Sequence, residues 1–506
     1  MTKDTLLAIL RPYGQEHLLA FWDKLDPTQR ESLARQIEAI DFALIQKLYE
    51  GRSQQGDMGQ LADRAAPPPA FRLDAAQNPF SPQQASQRAV ESLRAGHCGV
   101  ILVAGGQGTR LGFDHPKGMF PIGPISQKTL FQIHVEKITA AALRYGVRIP
   151  LYMMTSPATH GETVEFFAAH GRFGLPAEDL FIFCQGTMPA VDQETGRVLL
   201  ESPDRIAVSP DGHGGMLAAL RQSGAIDDIE RRGVRHLFYL QVDNPLVDIC
   251  GREFVGYHLL AGSEFSTQVI AKRDPLDRVG NVVQVDGRLM VIEYSDLPDE
   301  AARRRNADDS LEIWAGSIAV HVMDTRLLRR TTGHSHRARD TASRVASGAD
   351  IPVCQSGPIL LGRQECLPHC DGKGKVSSGL PFHIAHKKVA HIDAAGNRIE
   401  PKQPNAIKFE RFIFDLMPQA RNAIVVEVDP ALAFAPLKNA SGTKEDTPES
   451  VRTQLSAMHR GWLRQAGVEV ADDVAVEISP MFALDAEELK SKIPPGTRVT
   501  QPRYFG

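Results

Sequence analysis

The chain has 506 residues, of which 42% are hydrophobic and 23% charged, and its formal net charge is -4. This length implies two or three domains with ample apolar content for a core, and the composition excludes a disordered or fibrous protein. So small a net charge gives no global attraction to nucleic acid or to an anionic membrane, so any basic site must be local.

No segment reaches the roughly eighteen apolar residues of a membrane span. The opening "MTKDTLLAILRPYGQEH" lacks the apolar core of a signal peptide, so a cytoplasmic enzyme is the expectation. Six cysteines are sparse for this length and are expected to be reduced thiols.

In chain order, residues 1 to 50 read as helical. "EHLLAFWDKL" places Leu18, Leu19, Phe21, Trp22 and Leu25 at helical spacing. A second start follows with Asp26 as cap, Pro27 at the first helical position and Gln29 at the reach-back position of a capping box, ahead of Leu33, Ile37 and Ile40. Residues 51 to about 80 are rich in Gly, Gln and Pro and read as a connector. From 98 onward, short β-rich runs ("CGVILVAGG", "IPLYMMTS", "LFIFCQG", "VRHLFYLQVDN") alternate with amphipathic helices such as "TLFQIHVEKITAAALRYG". The alternation predicts a doubly wound α/β domain whose ligand lies at the carboxyl ends of its strands.

Residues 265 to 295 read as strands joined by tight turns, with Asp286-Gly287 a hairpin. Residues about 331 to 380 read as an insertion carrying Cys354, Cys366, His369 and Cys370. A cysteine pair four apart with a histidine between them is within zinc-ligand spacing, but no second regular pair accompanies it. An ordinary cysteine-containing insert is the simpler reading. The expected division is a helical N-terminal segment with linker (1–97), a catalytic domain (98–430) and a small C-terminal domain (431–506).

"VAGGQGTRLGFDHPKGMFPIG", residues 103 to 123, sits on a strand–loop–helix path. It is not a P-loop, which needs Lys and then Ser or Thr after its closing glycine. Nor does it hold the dinucleotide spacing, because Leu111 stands where the third glycine belongs and Gly112 is one late. What remains is a loop in which Gly105, Gly106 and Gly108 let backbone amides approach an anion while Arg110 and Lys117 supply charge. Pro116 biases His115 to an extended conformation, which predicts that Lys117 returns toward the strand ends. At about 4 Å and an effective dielectric of ~20, each cation–phosphate contact is worth ~4 kcal/mol before desolvation, against ~0.3 to 1 kcal/mol for a helix dipole. The two cations dominate and the glycines set the geometry.

This stretch resembles the signature of the UDP-sugar pyrophosphorylases, and specifically the UDP-N-acetylglucosamine pyrophosphorylase branch. The resemblance runs on through "MTSPATHGETVEFFAAHGRFGL", "FCQGTMPAV", "SPDGHGG", "QVDNPLVDI", "VGNVVQVDG", "VIEYSD", "PNAIKFERFIFD" and "PLKNASGTKEDTPES", in consistent order. It implies a Rossmann-like, GT-A-like nucleotidyltransferase fold. It also implies nucleotide contacts from Ala104, Gly105, Gly106, Gly108 and Thr109, uracil recognition by Gln185, and base and ribose packing on the Gly212-His213 backbone. An amide side chain both donates and accepts, as uracil's imide edge requires. His213 stands where animal members have Asn.

By the same resemblance Asp243, at the end of "LFYLQV", holds Mg²⁺, which takes one or two carboxylates together with phosphate oxygens and water. Gly280 and Glu293 line the sugar pocket, and Ser317, in "IWAGSIAVH", stands where animal and fungal members carry the asparagine of F-N-A-G-N. Lys408 and Lys438 match lysines that face the phosphates.

The implied reaction joins UTP and a sugar 1-phosphate to give a UDP-sugar and pyrophosphate. N-acetylglucosamine 1-phosphate is the expected acceptor, with glucose, galactose and N-acetylgalactosamine 1-phosphates as alternatives. Use of another base and a non-catalytic UDP-sugar-binding role are the rival readings. No nucleic-acid or membrane partner is expected, and the expected state is a monomer or weak homo-oligomer.

Overall fold

The computed structural model describes residues 1–54, 58–333 and 379–506. The cysteine and histidine group at 354–370 lies outside the described residues.

The central sheet forms because its inner β-rich runs are buried on both faces. Its order is Ala70–Phe71, Ala423–Glu427, Phe265–Ala271, Ala315–Asp324, His236–Gln241, Cys98–Val103, Leu151–Thr155 and Leu180–Cys184. Neighbours in this order pair in parallel except along Ala315–Asp324, which runs antiparallel to the strands on either side of it. Successive side chains leave opposite faces, as a period of two requires. Val100 and Leu102 enter one core with the helices Pro82–Arg94, Leu130–Tyr145 and Arg252–Leu260. Ile101 enters the other with Met216–Gln222 and Thr325–Thr332. This is the doubly wound α/β fold expected from the alternation.

Local chemistry sets the boundaries. The Pro27–Ala39 helix has the expected capping box between Asp26 and Gln29, with Pro27 in its first turn. The hairpin Gly280–Val285/Arg288–Ile292 turns at Asp286 (φ +50) and Gly287 (φ +78), two consecutive positive φ angles that suit an Asp-Gly pair.

Two expectations are corrected. "EHLLAFWDKL" is not one helix but two 3₁₀ turns, Glu16–Leu19 and Trp22–Lys24. The physical reason is tertiary: Gln15 brackets the 196–198 turn through Gly196 O and Val198 N, and His17 bonds Val198 O. The apolar set is buried all the same. Residues 51 to 80 are also more than a connector, since Ala70–Phe71 forms the sheet's edge strand and Phe71 is buried.

The N-terminal helices pack their apolar faces on Val191, Val198, Ile206, Ile407 and Phe409. Their support is a three-stranded sheet of His383–Lys387, Ala406–Glu410 and Val191–Asp192. Beyond the last central strand, the helix Pro448–Gln465 carries a module of two short parallel strand pairs and the helix Ala486–Lys492, with its own core around Leu463, Val476 and Leu489. Among the described residues no helix is long and apolar enough to cross a membrane.

Candidate active site

Three parallel strands of the central sheet deliver the candidate site residues at their carboxyl ends. After Cys98–Val103 comes the glycine loop, after Leu180–Cys184 comes Gln185, and after His236–Gln241 comes Asp243. The loop leaves the sheet with Ala104 N bonded to Met154 O. It then folds back on itself, with Gly108 N on His115 O (2.9 Å) and Lys117 N on Gly106 O (3.0 Å). A Cβ on Gly108 would stand 2.6 Å from Phe113 O, so only glycine permits this fold-back. Thr109 and Arg110 sit exposed on its tip, and Arg110 makes no hydrogen bond or ion pair among the described residues.

The fold-back returns Lys117 to the sheet as the Pro116 argument requires. Lys117 Nζ lies 3.9 Å from Asp243 Oδ2, with the two side chains 17% and 13% exposed. Burial lowers the Lys117 pKa; the Asp243 and Asp446 carboxylates act against this, whereas Lys438 and Arg110 add to it. Those five charged groups therefore share one field, three cations facing two carboxylates. The segment around Lys438 is tied in through its backbone, by Leu437 N to Asp243 O (2.8 Å) and Lys438 N to Asp446 O (2.9 Å). Asp446 is the residue that sequence reasoning missed here. Burial raises its pKa, Lys438 opposes, and Glu445 and Asp243 reinforce.

The pair Asp243 and Asp446 has the donor chemistry of a magnesium site: two hard carboxylate oxygens, with the remaining positions left to phosphate and water. No group of three or more His, Cys, Asp or Glu side chains placed to hold a metal ion is found among the described residues, so a protein-only zinc cage is not formed among them.

The base side is built by close backbone approach. Gly105 accepts from Ser156 Oγ (2.7 Å), and a Cβ on it would stand 3.4 Å from Gln185 Oε1, so Gln185 and the loop are neighbours. The Gln185 side chain is buried and makes no hydrogen bond to another described residue. Gly212 has φ +82, and a Cβ there would meet Arg411 O at 2.4 Å. His213 stacks on Phe412 (5.3 Å between centroids), and its Nδ1 accepts from Ile413 N. Burial holds it neutral, its pKa down to about 4. Beneath lies Asp211, also missed from sequence: its Oδ1 is buried without a partner, and burial pushes its carboxyl up to about 7 against the pull of Arg411.

The three expected sugar residues converge. Gly280 pairs with Ser317 across the sheet, and a Cβ on Gly280 would lie 3.3 Å from Glu293 Oε1 and 3.9 Å from Ser317 Cβ. Glu293 is pushed up by burial, with Asp296 and Asp415 adding and His383 and Lys438 opposing. Lys408, half-buried on the Ala406–Glu410 strand, forms no hydrogen bond or ion pair with the Lys117–Asp243 group.

Residues 47–335 match the family described as UTP–glucose-1-phosphate uridylyltransferase. The human UDP-N-acetylhexosamine pyrophosphorylase-like protein 1 is 34% identical over 478 residues, covering 92% of this chain and 86% of that one. The Saccharomyces cerevisiae UDP-N-acetylglucosamine pyrophosphorylase is 32% identical over 490 residues, 94% of each. In fold, the chain is similar to the crystal structure of the Trypanosoma brucei UDP-N-acetylglucosamine pyrophosphorylase in complex with inhibitor (TM-score 0.76, 23% identity, 99% of each chain).

Proposed function

The chain belongs to the UTP–glucose-1-phosphate uridylyltransferase family, and from that membership we infer that it converts UTP and N-acetylglucosamine 1-phosphate to UDP-N-acetylglucosamine and pyrophosphate. Among known relatives the yeast enzyme, matched over 94% of both chains, carries that activity in its name. The structural observation that supports the reading most is the return of the glycine loop, which sets Lys117 beside Asp243 at the carboxyl end of a parallel strand.

The acceptor's phosphate oxygen attacks the α-phosphorus of UTP; its bond forms as the bond to the β-phosphate bridging oxygen breaks, and pyrophosphate leaves with that electron pair. The attacking phosphate is already anionic, so no side-chain nucleophile is required. Catalysis reduces to alignment and charge neutralisation. Arg110 reaches from the loop tip to the β- and γ-phosphates, Lys117 meets the α-phosphate, and Lys438 offsets the repulsion between the two anions. Lys408 serves the same end if it turns toward the phosphates when substrate is bound. Ala104, Gly105, Gly106, Gly108 and Thr109 line the triphosphate, Gln185 reads uracil, and the Gly212-His213 backbone holds base and ribose. Gly280, Glu293 and Ser317 take the hexose.

Asp243, with Asp446, would hold Mg²⁺, which when bound supplies positive charge to the triphosphate and to the departing pyrophosphate. A cytoplasmic site of action suits a chain whose described helices include no membrane span.

A pyrophosphate-release assay crossing four nucleoside triphosphates with glucose, galactose, N-acetylglucosamine and N-acetylgalactosamine 1-phosphates tests this. The highest kcat/KM is expected for UTP with N-acetylglucosamine 1-phosphate. Preference for another nucleotide, or for a hexose without the acetamido group, contradicts it.

A further inference from the structure

The hexose side of the site contains a charged pair that the reaction above does not use. His383 begins the His383–Lys387 strand, and its Nε2 is hydrogen-bonded to Asp415 Oδ2 at 2.8 Å. Its ring lies on Phe412 (4.5 Å between centroids), the same ring that His213 stacks on from the base side. Asp415 belongs to the 3₁₀ segment Ile413–Gln419, and that segment packs against the strand Arg288–Ile292 that ends immediately before Glu293. Three elements thus bring a histidine and two carboxylates together at the hexose subsite. Among the described residues no hydrogen bond reaches the Nδ1 of His383.

The charges around Glu293 come from every side. Asp296 faces it from its own turn, Asp415 from the 3₁₀ segment, His383 from the start of the His383–Lys387 strand and Lys438 from the 437–446 segment. Burial and the two aspartates favour its neutral form, and His383 and Lys438 oppose them. A neutral carboxyl loses acceptor capacity toward hydroxyl hydrogens. Lys438 is committed to phosphate, so the histidine is the cation that belongs to the sugar.

We propose that His383, its ring fixed by Asp415, is a positioning residue of the hexose subsite whose imidazolium holds Glu293 as the carboxylate that accepts hydroxyl hydrogens of the hexose 1-phosphate. This rests on the reading of Glu293 as a hexose-binding group. Burial alone would lower the His383 pKa, but the hydrogen bond to Asp415 and the charges of Asp415, Asp296 and Glu293 outweigh it and raise it. The ring is therefore charged in the same acidic-to-neutral range in which Glu293 needs support.

The test is the KM for N-acetylglucosamine 1-phosphate of His383→Gln relative to wild type, measured across pH with UTP saturating. The acceptor's own phosphate ionisation cancels in the ratio. The ratio is expected near one at pH 8.5 and to rise several-fold by pH 5.5, because without the imidazolium Glu293 takes up its proton at higher pH. His383→Lys, which retains a cation, is expected to hold the ratio near one throughout. A loss that is merely structural gives a ratio independent of pH, and that result overturns the inference. Should His383→Gln fail to bind UTP, NMR titration of the wild-type ring decides: a ring neutral at pH 6 overturns the inference as well. Two further controls separate it from the reading beneath it. If Glu293→Gln leaves the acceptor KM unchanged, the assignment of Glu293 fails; if wild type releases no pyrophosphate, the activity itself fails.

Discussion

At the scale of single residues, the site spends stability on geometry. Asp211 shows this with a measurable sign: its folded pKa of about 7 lies above the ordinary carboxylate value, so the native state binds a proton that the unfolded chain releases. Native stability therefore falls as pH rises from about 4 to 7 and is level above. Asp211→Asn is expected to be more stable than wild type by about 1 to 3 kcal/mol at pH 8 and indistinguishable at pH 4; urea unfolding at both pH values checks it, and a difference independent of pH contradicts it. Gly212→Ala acts in the other direction, because φ +82 and a carbonyl 2.4 Å from the new Cβ force the loop open. Its KM for UTP is expected to rise by about tenfold or more, and an unchanged value counts against base packing on that backbone. Lys117 was legible in the sequence because Pro116 constrains the path that brings it home. Asp446, Asp211 and His383 were not, since each is a lone charged residue whose role depends on neighbours far along the chain.

At the scale of elements, local rules read well wherever the backbone decides for itself. The Asp26–Gln29 capping box and the Asp286-Gly287 turn form as written, because their hydrogen bonds and φ angles are set within four residues. The pattern failed where contacts from afar decide: Gln15 and His17 draw "EHLLAFWDKL" onto the 196–198 turn, and Ala70–Phe71 becomes a strand only where Ala423–Glu427 offers it an edge. One helix crossing is equally unreadable from either helix alone. Pro82–Arg94 and Arg252–Leu260 approach so closely that a Cβ on Gly256 would stand 1.8 Å from Ala85 O. Gly256→Ala must separate the helices and is expected to cost about 1 to 3 kcal/mol. Urea unfolding measures it, and a neutral result would mean that the crossing tolerates a wider spacing.

At the scale of the molecule, the alternation of strands and helices announced the doubly wound architecture, but nothing in it announced how the C-terminal module attaches. The bond is a buried carboxylate: Glu477 accepts from Ile125 N and Ser126 N (both 2.7 Å) and from Ser126 Oγ, on the segment that follows the glycine loop. Arg144 adds ion pairs to Asp485 and Glu488. Burial would raise the Glu488 pKa, but Lys492, the Leu484 amide and Arg144 outweigh it and bring it down to about 2. That contribution is present above about pH 4.5 and lost as pH falls toward 2. Glu477→Ala leaves two half-buried amides without their acceptor and is expected to raise the rate of proteolytic cleavage in the 430–450 connection several-fold; an unchanged cleavage rate contradicts this attachment. Because that connection carries Lys438 and Asp446, the fold joins three distant stretches, 105–117, 243 and 438–446, into one charged centre. The most direct test of that centre is the single-turnover rate of pyrophosphate release by Lys117→Ala at saturating UTP and N-acetylglucosamine 1-phosphate. The expected result is a rate lower by about 10²- to 10³-fold with UTP still bound, whereas a rate equal to wild type would contradict the account.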